Sequence, residues 1–105
     1  MKSGGFRLEM LDGARGARLR GELDLSTSEQ ATTGLAPLFK GSGDVTLDVA
    51  DLSFVDSSGI RLFIRLHQST EDGVLVLRAP QPHVARLLEI AGLLDLGIRV
   101  DGAPT

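Results

Sequence analysis

An apolar run, a polar cluster and a helical pattern follow one another in the middle of this chain, and they constrain its fold more than any other stretch. Residues 45–49 form an apolar run typical of a buried strand. After a predicted loop comes the polar cluster of residues 56–59, with the letters DSSG, and from Ile60 onward apolar residues recur at helical spacing. The stretch therefore predicts a strand-loop-helix unit whose helix opens with a carboxylate and two hydroxyls.

The start of such a helix has chemical consequences for the polar cluster. The first backbone N–H groups of a helix have no partners within it and carry partial positive charge, and either Asp56 or Ser57 can cap them. A phosphate on a hydroxyl there would be tolerated by its own helix and would add about −1.5 to −2 charges beside Asp56. The same tetrapeptide is commonly no more than capping and turn chemistry, so these residues alone leave both interpretations open.

The predicted helix leaves one polar stripe uncovered by apolar residues. Arg61, Arg65 and Gln68 fall together on this stripe at spacing i, i+4 and i+7. The two arginines form either a solvated face or contacts to a partner, and the spacing is compatible with both.

Composition excludes several classes of function. The 105-residue chain has no cysteine, which excludes disulfides, thiol catalysis and cysteine metal sites. The net charge is −3, no basic face is evident and all four aromatic residues are Phe, which argues against a nucleic-acid partner. Neither His67 nor His83 has a ligand pattern around it, so we predict no metal site and no cofactor.

Length and hydropathy predict a single domain in the cytoplasm. No run approaches the ~18 apolar residues of a membrane span, and the first residues lack the apolar core of a signal peptide. We therefore expect no membrane span. We expect one domain over residues 1–105, with its core at about residues 6–100.

Periodicity along the chain predicts the order β-β-α-β-α-β-α-β, an α/β fold with a mixed sheet. A turn signal at Asp12-Gly13 makes the first two strands an antiparallel hairpin, and the later strands, separated by helices, should be parallel. The predicted strands cover residues 6–11, 14–20, 45–49, 74–77 and 96–100. Residues 21–24 should close the hairpin and lead away from it.

Capping and breaking residues predict where the three helices begin and end. Ser26, with a glutamate three residues later, fits a capping box at the start of the first helix, and Pro37 should end or kink that helix near residue 36. The second helix should stop near Asp72-Gly73, where Gly73 can serve as the left-handed cap residue. The third should begin at Pro82 and end at Gly92.

These segments resemble the STAS domain family, and within it the bacterial anti-sigma factor antagonists. The matching segments are Gly21-Glu22-Leu23-Asp24, residues 51–59 (DLSFVDSSG), and the tail in which Pro82, Val84, Leu87 and Ala91-Gly92-Leu93 recur. The resemblance covers about residues 6–100. Its most specific part is residues 51–59, the phosphorylation loop of the family, because nine contiguous positions agree between a strand and a helix.

The resemblance implies a STAS-type mixed sheet with helices mainly on one face, and a binding role without catalysis. In this family the unphosphorylated domain binds an anti-sigma factor, which is an ATP-dependent serine kinase, and so releases a sigma factor. The kinase phosphorylates the first serine after the aspartate of the loop, here Ser57. The phosphoprotein loses affinity, and a PP2C-type phosphatase resets it.

The resemblance also identifies residues for contact with the partner. They are Asp24, Asp56, Ser57, Ser58, Gly59 and Arg61. Gly59 either lets a partner approach the backbone closely or is only a turn glycine. Asp24 either contacts the partner or is only a loop carboxylate. Arg61 stands where relatives often have a small residue, which would alter the choice of partner.

Two other functions remain as alternatives. A STAS scaffold or accessory subunit, in a stress-signalling or transport complex, would form a stable assembly unaffected by the chemistry of Ser57. A serine hydrolase using Ser57 or Ser58 would need a nearby base and an oxyanion site. Neither histidine is placed for that role and no Gly-x-Ser-x-Gly pattern occurs, so we expect the protein not to be an enzyme.

Overall fold

The computed structural model describes residues 5–102 and shows five strands and three helices there, in the predicted order. The strands are β1 (Phe6–Met10), β2 (Gly16–Leu23), β3 (Val45–Val55), β4 (Leu75–Arg78) and β5 (Arg99–Asp101), and the helices are α1 (Ser28–Leu35), α2 (Ser57–Ser69) and α3 (Pro82–Ile90). Neighbours in the sheet follow chain order. β1 and β2 are antiparallel and each later pair is parallel, which confirms the predicted mixed sheet.

The core lies between one face of the sheet and one side of each helix. Its fully buried side chains include Leu19, Leu47 and Leu77 from the strands, and Leu35, Phe63 and Leu88 from the helices. Burying a side chain of this size stabilises the fold by about 1.5–3 kcal/mol relative to leaving it exposed. In α2 the buried residues are Gly59, Leu62, Phe63 and Leu66, so the predicted polar stripe of that helix faces solvent.

The other face of the sheet carries charged side chains that pair across the strands. Arg20 Nη2 lies 3.5 Å from Glu9 Oε1, and Arg18 Nε lies 3.4 Å from Asp48 Oδ2. Arg78 approaches the same Asp48 oxygen at 3.9 Å. Arg20 and Glu9 are both more than half exposed, so their pair adds little stability, about 0–1 kcal/mol. Asp48 is buried, and Arg18 and Arg78 both compensate its charge. The alternation of apolar and charged residues along these strands thus reflects one covered and one solvated face.

Two strands are longer than the sequence predicted. β3 includes residues 51–55, which we predicted as a loop, and β2 includes residues 21–23, which we predicted to lead away from the hairpin. The two extensions pair with each other, ending at Leu23 opposite Val55, after two shifts of register. The polar cluster therefore follows directly on the end of a strand.

The predicted cap of the first helix is wrong. The N-cap of α1 is Thr27, without a side-chain cap hydrogen bond, and Ser26 lies before it. Both the N–H and the hydroxyl of Ser26 donate to Asp24 Oδ1, at 2.9 and 2.7 Å, so this serine belongs to a turn closed by Asp24. At its other end α1 gives way to the 3-10 helix Ala36–Phe39, which confirms the early end predicted from Pro37.

The predicted left-handed cap at Gly73 is also wrong, whereas the limits of the third helix are confirmed. α2 ends earlier, and Asp72 rather than Gly73 takes a positive φ, of 56°. A Cβ on Gly73 would lie 2.3 Å from the carbonyl carbon of Gly43, so glycine here allows two loops to touch. α3 begins at Pro82 and ends before Gly92, whose φ is 81°.

Candidate functional site

The candidate site lies where β3 meets α2, and Asp56 organises it. Asp56 is the N-cap of α2, since its Oδ1 accepts the Ser58 N–H at 2.8 Å. Its Oδ2 accepts the Leu25 N–H at 3.2 Å, and its own N–H donates to the Leu23 carbonyl at 3.1 Å. Of the two capping residues that the sequence left open, Asp56 is the cap. The same side chain ties the start of α2 to the loop after β2.

The two serines of the cluster differ in exposure. Ser57 is the first residue of α2 and is exposed, whereas Ser58 is half-buried. Among residues 5–102, no hydrogen bond involves the hydroxyl of Ser57. Ser57 is therefore the more exposed of the two serines, and another protein can reach it without disturbing the fold.

Asp24 is a half-buried carboxylate that closes its own turn. Besides both groups of Ser26, its Oδ1 accepts the Thr27 N–H at 3.1 Å. The hydrogen bond from the Ser26 hydroxyl, helped by those from the two backbone N–H groups, holds the pKa of Asp24 below the ordinary value of an aspartate, against the opposing effect of burial. The loop role that the sequence left open for Asp24 is thus present in the structure. Its contact with a partner stays a prediction.

Gly59 is buried against the end of the sheet. A Cβ at this position would lie 2.7 Å from Val55 Cγ1 and 2.9 Å from Leu23 Cγ, closer than van der Waals contact allows. The missing side chain lets the first turn of α2 pack directly on β2 and β3. Close packing against Val55 and Leu23 thus explains why a glycine stands at position 59. Its contact with a partner stays a prediction.

A shallow groove runs between α1 and α2 beside the serines. Its lining includes Leu25, Glu29, Ser58, Arg61 and Arg65. Leu25 is 78 % exposed, while the guanidinium carbon of Arg65 lies 5.9 Å from the centre of the Phe39 ring. Arg61 is exposed and makes no ion pair within residues 5–102. The groove therefore combines an uncovered apolar side chain with a basic one next to the cluster.

The structure brings the predicted contact residues to one end of the molecule and adds others that the sequence did not indicate. The hydrogen bond from Leu25 to Asp56 places the segment containing Asp24 beside the start of α2. Leu25 and Thr27 were not predicted as site residues. The signal for Leu25 was an apolar residue inside a polar turn, and Thr27 gave none that distinguishes it from its neighbours.

The histidines and acidic residues do not form a metal site within the part of the chain that the structure describes. No three His, Cys, Asp or Glu side chains among residues 5–102 are arranged to hold a metal ion. His67 Nε2 lies 3.0 Å from the Leu96 carbonyl oxygen and His83 Nε2 lies 2.6 Å from that of Ser53, so both imidazoles bind backbone groups. None of the helices in this range is long and apolar enough to span a bilayer.

Comparison with known proteins identifies the class. A family model described as the STAS domain matches residues 7–101. BtrV of Bordetella bronchiseptica, provisionally named an anti-sigma factor antagonist, is 32% identical over 92 residues, or 85% of this chain and 79% of BtrV. An anti-sigma-B factor antagonist of Staphylococcus epidermidis is 32% identical over 84 residues, covering 75% of this chain and 76% of that protein.

A solved structure agrees in fold. The crystal structure of an anti-sigma factor antagonist from Mycobacterium paratuberculosis has a TM-score of 0.73 at 20% identity, covering 98% of this chain and 87% of the other. The chain therefore belongs to the STAS domain family. The predicted resemblance to the STAS family, based on residues 21–24, residues 51–59 and the tail from Pro82, is confirmed, and so is the STAS-type mixed sheet.

Proposed function

We propose that this protein is an anti-sigma factor antagonist whose unphosphorylated form binds an anti-sigma factor and so releases a sigma factor. Two relatives that carry the antagonist name match three quarters or more of the chain. The observation that carries the proposal is the position of Ser57, exposed at the first residue of α2 and next to the capping carboxylate of Asp56. In this role the protein acts by binding and not by catalysis.

The partner is a serine kinase that this protein inhibits by binding. When the kinase phosphorylates Ser57, the complex dissociates and the inhibition of the kinase ends. A phosphate adds about −1.5 to −2 charges. The start of α2 tolerates that charge, because its backbone dipoles are oriented favourably. A partner surface packed on Ser57 would instead have to bury a dianion beside Asp56, which costs free energy unless a cation compensates it. We expect affinity to fall by about 5–150-fold on phosphorylation, and a PP2C-type phosphatase to restore it.

The surface around Ser57 suits such a complex. Asp56 and Ser58 flank Ser57 in the chain, Arg61 lies one turn further along α2, and the segment containing Asp24 is tied to Asp56 through Leu25, so these residues supply the polar part. Gly59 is buried beneath them. Leu25 supplies the apolar part, since this side chain is 78 % exposed between polar neighbours. An apolar residue ringed by polar groups is the usual arrangement at the centre of a protein interface.

The proposal is tested by co-purification with three tagged full-length baits: wild type, Ser57→Ala and Ser57→Asp. We expect an ATP-binding anti-sigma kinase to be recovered with wild type and Ser57→Ala and not with Ser57→Asp. Recovery of one membrane or scaffold complex by all three baits would contradict the switch and support a scaffold or accessory subunit.

The recovered kinase then provides a test of the modified residue. With ATP and Mg²⁺, mass spectrometry should find phosphate on Ser57 in wild type. Ser58→Ala is the matched control, because its serine is half-buried beside the target. This variant should still be phosphorylated on Ser57, whereas Ser57→Ala should take no phosphate. Phosphate on Ser58 in the Ser57→Ala variant would show that the assignment of the acceptor is wrong.

A further inference from the structure

We propose that a phosphate on Ser57 recruits Arg61 of the same helix as its counter-ion, so that phosphorylation withdraws Arg61 from the partner surface as well as adding negative charge. This inference rests on the proposed function, because it concerns the phosphorylated state of Ser57. It adds a second component to the switch, one that is internal to the domain.

The spacing of the two residues carries the inference. Ser57 and Arg61 are four residues apart within the continuous helix α2. Side chains at i and i+4 of a helix lie on one face, with Cβ atoms about 5–6 Å apart. The order is the favourable one, since the negative group precedes the positive group along the chain. Both residues are exposed, so the pair can form without breaking any packing.

Arg61 is the cation placed for this role. It has no ion-pair partner within residues 5–102, and its guanidinium group can hold a phosphate through two parallel hydrogen bonds. Arg65 is one further turn away, about 12 Å along the helix axis from Ser57. Its guanidinium already lies over the ring of Phe39. Arg65 therefore serves as a matched control of the same charge on the same helix.

The pairing predicts two positions for the Arg61 side chain. Without phosphate the side chain lines the groove shared with Leu25 and Glu29, where it is available to a partner. With phosphate it turns toward the first residue of the helix. A partner that uses Arg61 would then lose a contact at the same moment as it meets the dianion.

The experiment uses full-length protein with phosphoserine installed at position 57 by genetic code expansion, so that no kinase is needed. The second pKa of the phosphate is measured by 31P NMR titration in wild type, Arg61→Ala, Arg61→Lys and Arg65→Ala. A nearby cation favours the dianion, so we expect wild type to titrate lower than Arg61→Ala by about 0.3 of a pH unit. Arg65→Ala should match wild type.

Two further readouts separate a direct pair from a change of fold. Arg61→Lys keeps the charge without the bidentate geometry, so its titration should fall between wild type and Arg61→Ala. The difference between wild type and Arg61→Ala should shrink in 1 M NaCl, where the screening length is about 3 Å. Equal phosphate titrations in wild type and Arg61→Ala at low salt would overturn the inference.

Failure of the pairing between phosphorylated Ser57 and Arg61 is distinguishable from failure of the proposed function. The titration reports only on the two side chains and needs neither kinase nor sigma factor. If the phosphate pKa differs between wild type and Arg61→Ala but no partner distinguishes the phosphorylated protein from the unphosphorylated one, the pairing stands and the proposed switch is wrong. Loss of partner binding on phosphorylation without a titration difference would keep the switch and remove the role of Arg61.

Discussion

The backbone N–H of Leu25 donates to Oδ2 of Asp56 at 3.2 Å, across 31 residues of chain. The other oxygen of the same carboxylate caps α2 through the Ser58 N–H. One side chain therefore joins the segment after β2 to the start of the helix that carries Ser57. The two sequence motifs of the site are parts of one hydrogen-bonded unit, and a change in Asp56 should affect both.

The first prediction concerns this carboxylate. Asp56→Ala removes the N-cap of α2 and the link to Leu25, so we expect the free energy of unfolding to fall by about 1–2 kcal/mol in urea denaturation. Asp56→Asn is the control, since its amide oxygen can still accept the Ser58 N–H, and it should cost less. In Asp56→Ala, amide hydrogen exchange should accelerate at both Leu25 and Ser58. If hydrogen exchange at Leu25 is unchanged, the hydrogen bond from the Leu25 N–H to Asp56 does not contribute to stability.

The sequence could predict one half of this unit. A cap at the start of α2 is a local matter of residue type and spacing, so Asp56 was one of two residues assigned to it. The bond to Leu25 depends on the pairing of β2 with the far end of β3, because that pairing places Leu23 opposite Val55. Local pattern carries no such information, and the same limitation made residues 51–55 look like a loop.

A second prediction concerns Gly59. Alanine favours a helix over glycine by about 1 kcal/mol, yet the new Cβ would lie 2.7 Å from Val55 Cγ1. Because Val55 and Leu23 are both buried, the clash should dominate, and Gly59→Ala should lower the free energy of unfolding by about 1–3 kcal/mol.

The matched control is Gly34→Ala in α1. The atoms nearest to its Cβ would be Cδ1 and Cδ2 of the half-buried Leu8 side chain, each at 3.1 Å, and that side chain can shift. We expect Gly34→Ala to cost clearly less than Gly59→Ala in parallel denaturation curves. Equal costs would mean that contact with Val55 does not explain the glycine.

A third prediction separates binding from folding at Ser57. Because this hydroxyl is exposed and outside the hydrogen bonds of residues 5–102, Ser57→Ala should change the free energy of unfolding by no more than about 0.5 kcal/mol. Denaturation of wild type and variant side by side is sufficient to check this. A larger loss would show that Ser57 supports the start of α2, and binding results with its variants would need correction for folding.

A fourth prediction concerns the pH dependence of Asp24. Hydrogen bonds from Ser26 and Thr27 lower the pKa of this carboxyl in the folded protein. The ionised form therefore stabilises the fold above the pKa of the unfolded chain, and this contribution is lost as pH falls through the folded pKa. In an NMR titration, Asp24 should titrate below an ordinary aspartate, and Ser26→Ala should raise its pKa. A titration unaffected by Ser26→Ala would contradict the assigned cause.

The turn at Asp24 also shows why the predicted capping box failed. Ser26 and the glutamate three residues later have the correct spacing, but Asp24 accepts both donors of Ser26. Thr27 Oγ1 likewise donates to the Glu22 carbonyl at 2.8 Å instead of capping α1. Competition among neighbouring side chains for the same few backbone groups decides such a helix start, and a spacing rule does not weigh it.

A last prediction concerns the tautomer of His67. The Leu75 N–H can only donate, so Nδ1 of His67 must accept it, at 3.1 Å; the Leu96 carbonyl can only accept, so Nε2 must carry the proton. Imidazole nitrogen shifts in two-dimensional NMR should therefore show the neutral Nε2–H form. His67→Ala should cost about 1–3 kcal/mol by leaving a backbone donor of β4 unsatisfied. His83→Ala should cost less, because His83 is exposed and binds one carbonyl. An Nδ1–H tautomer would show that the ring does not link α2 to β4.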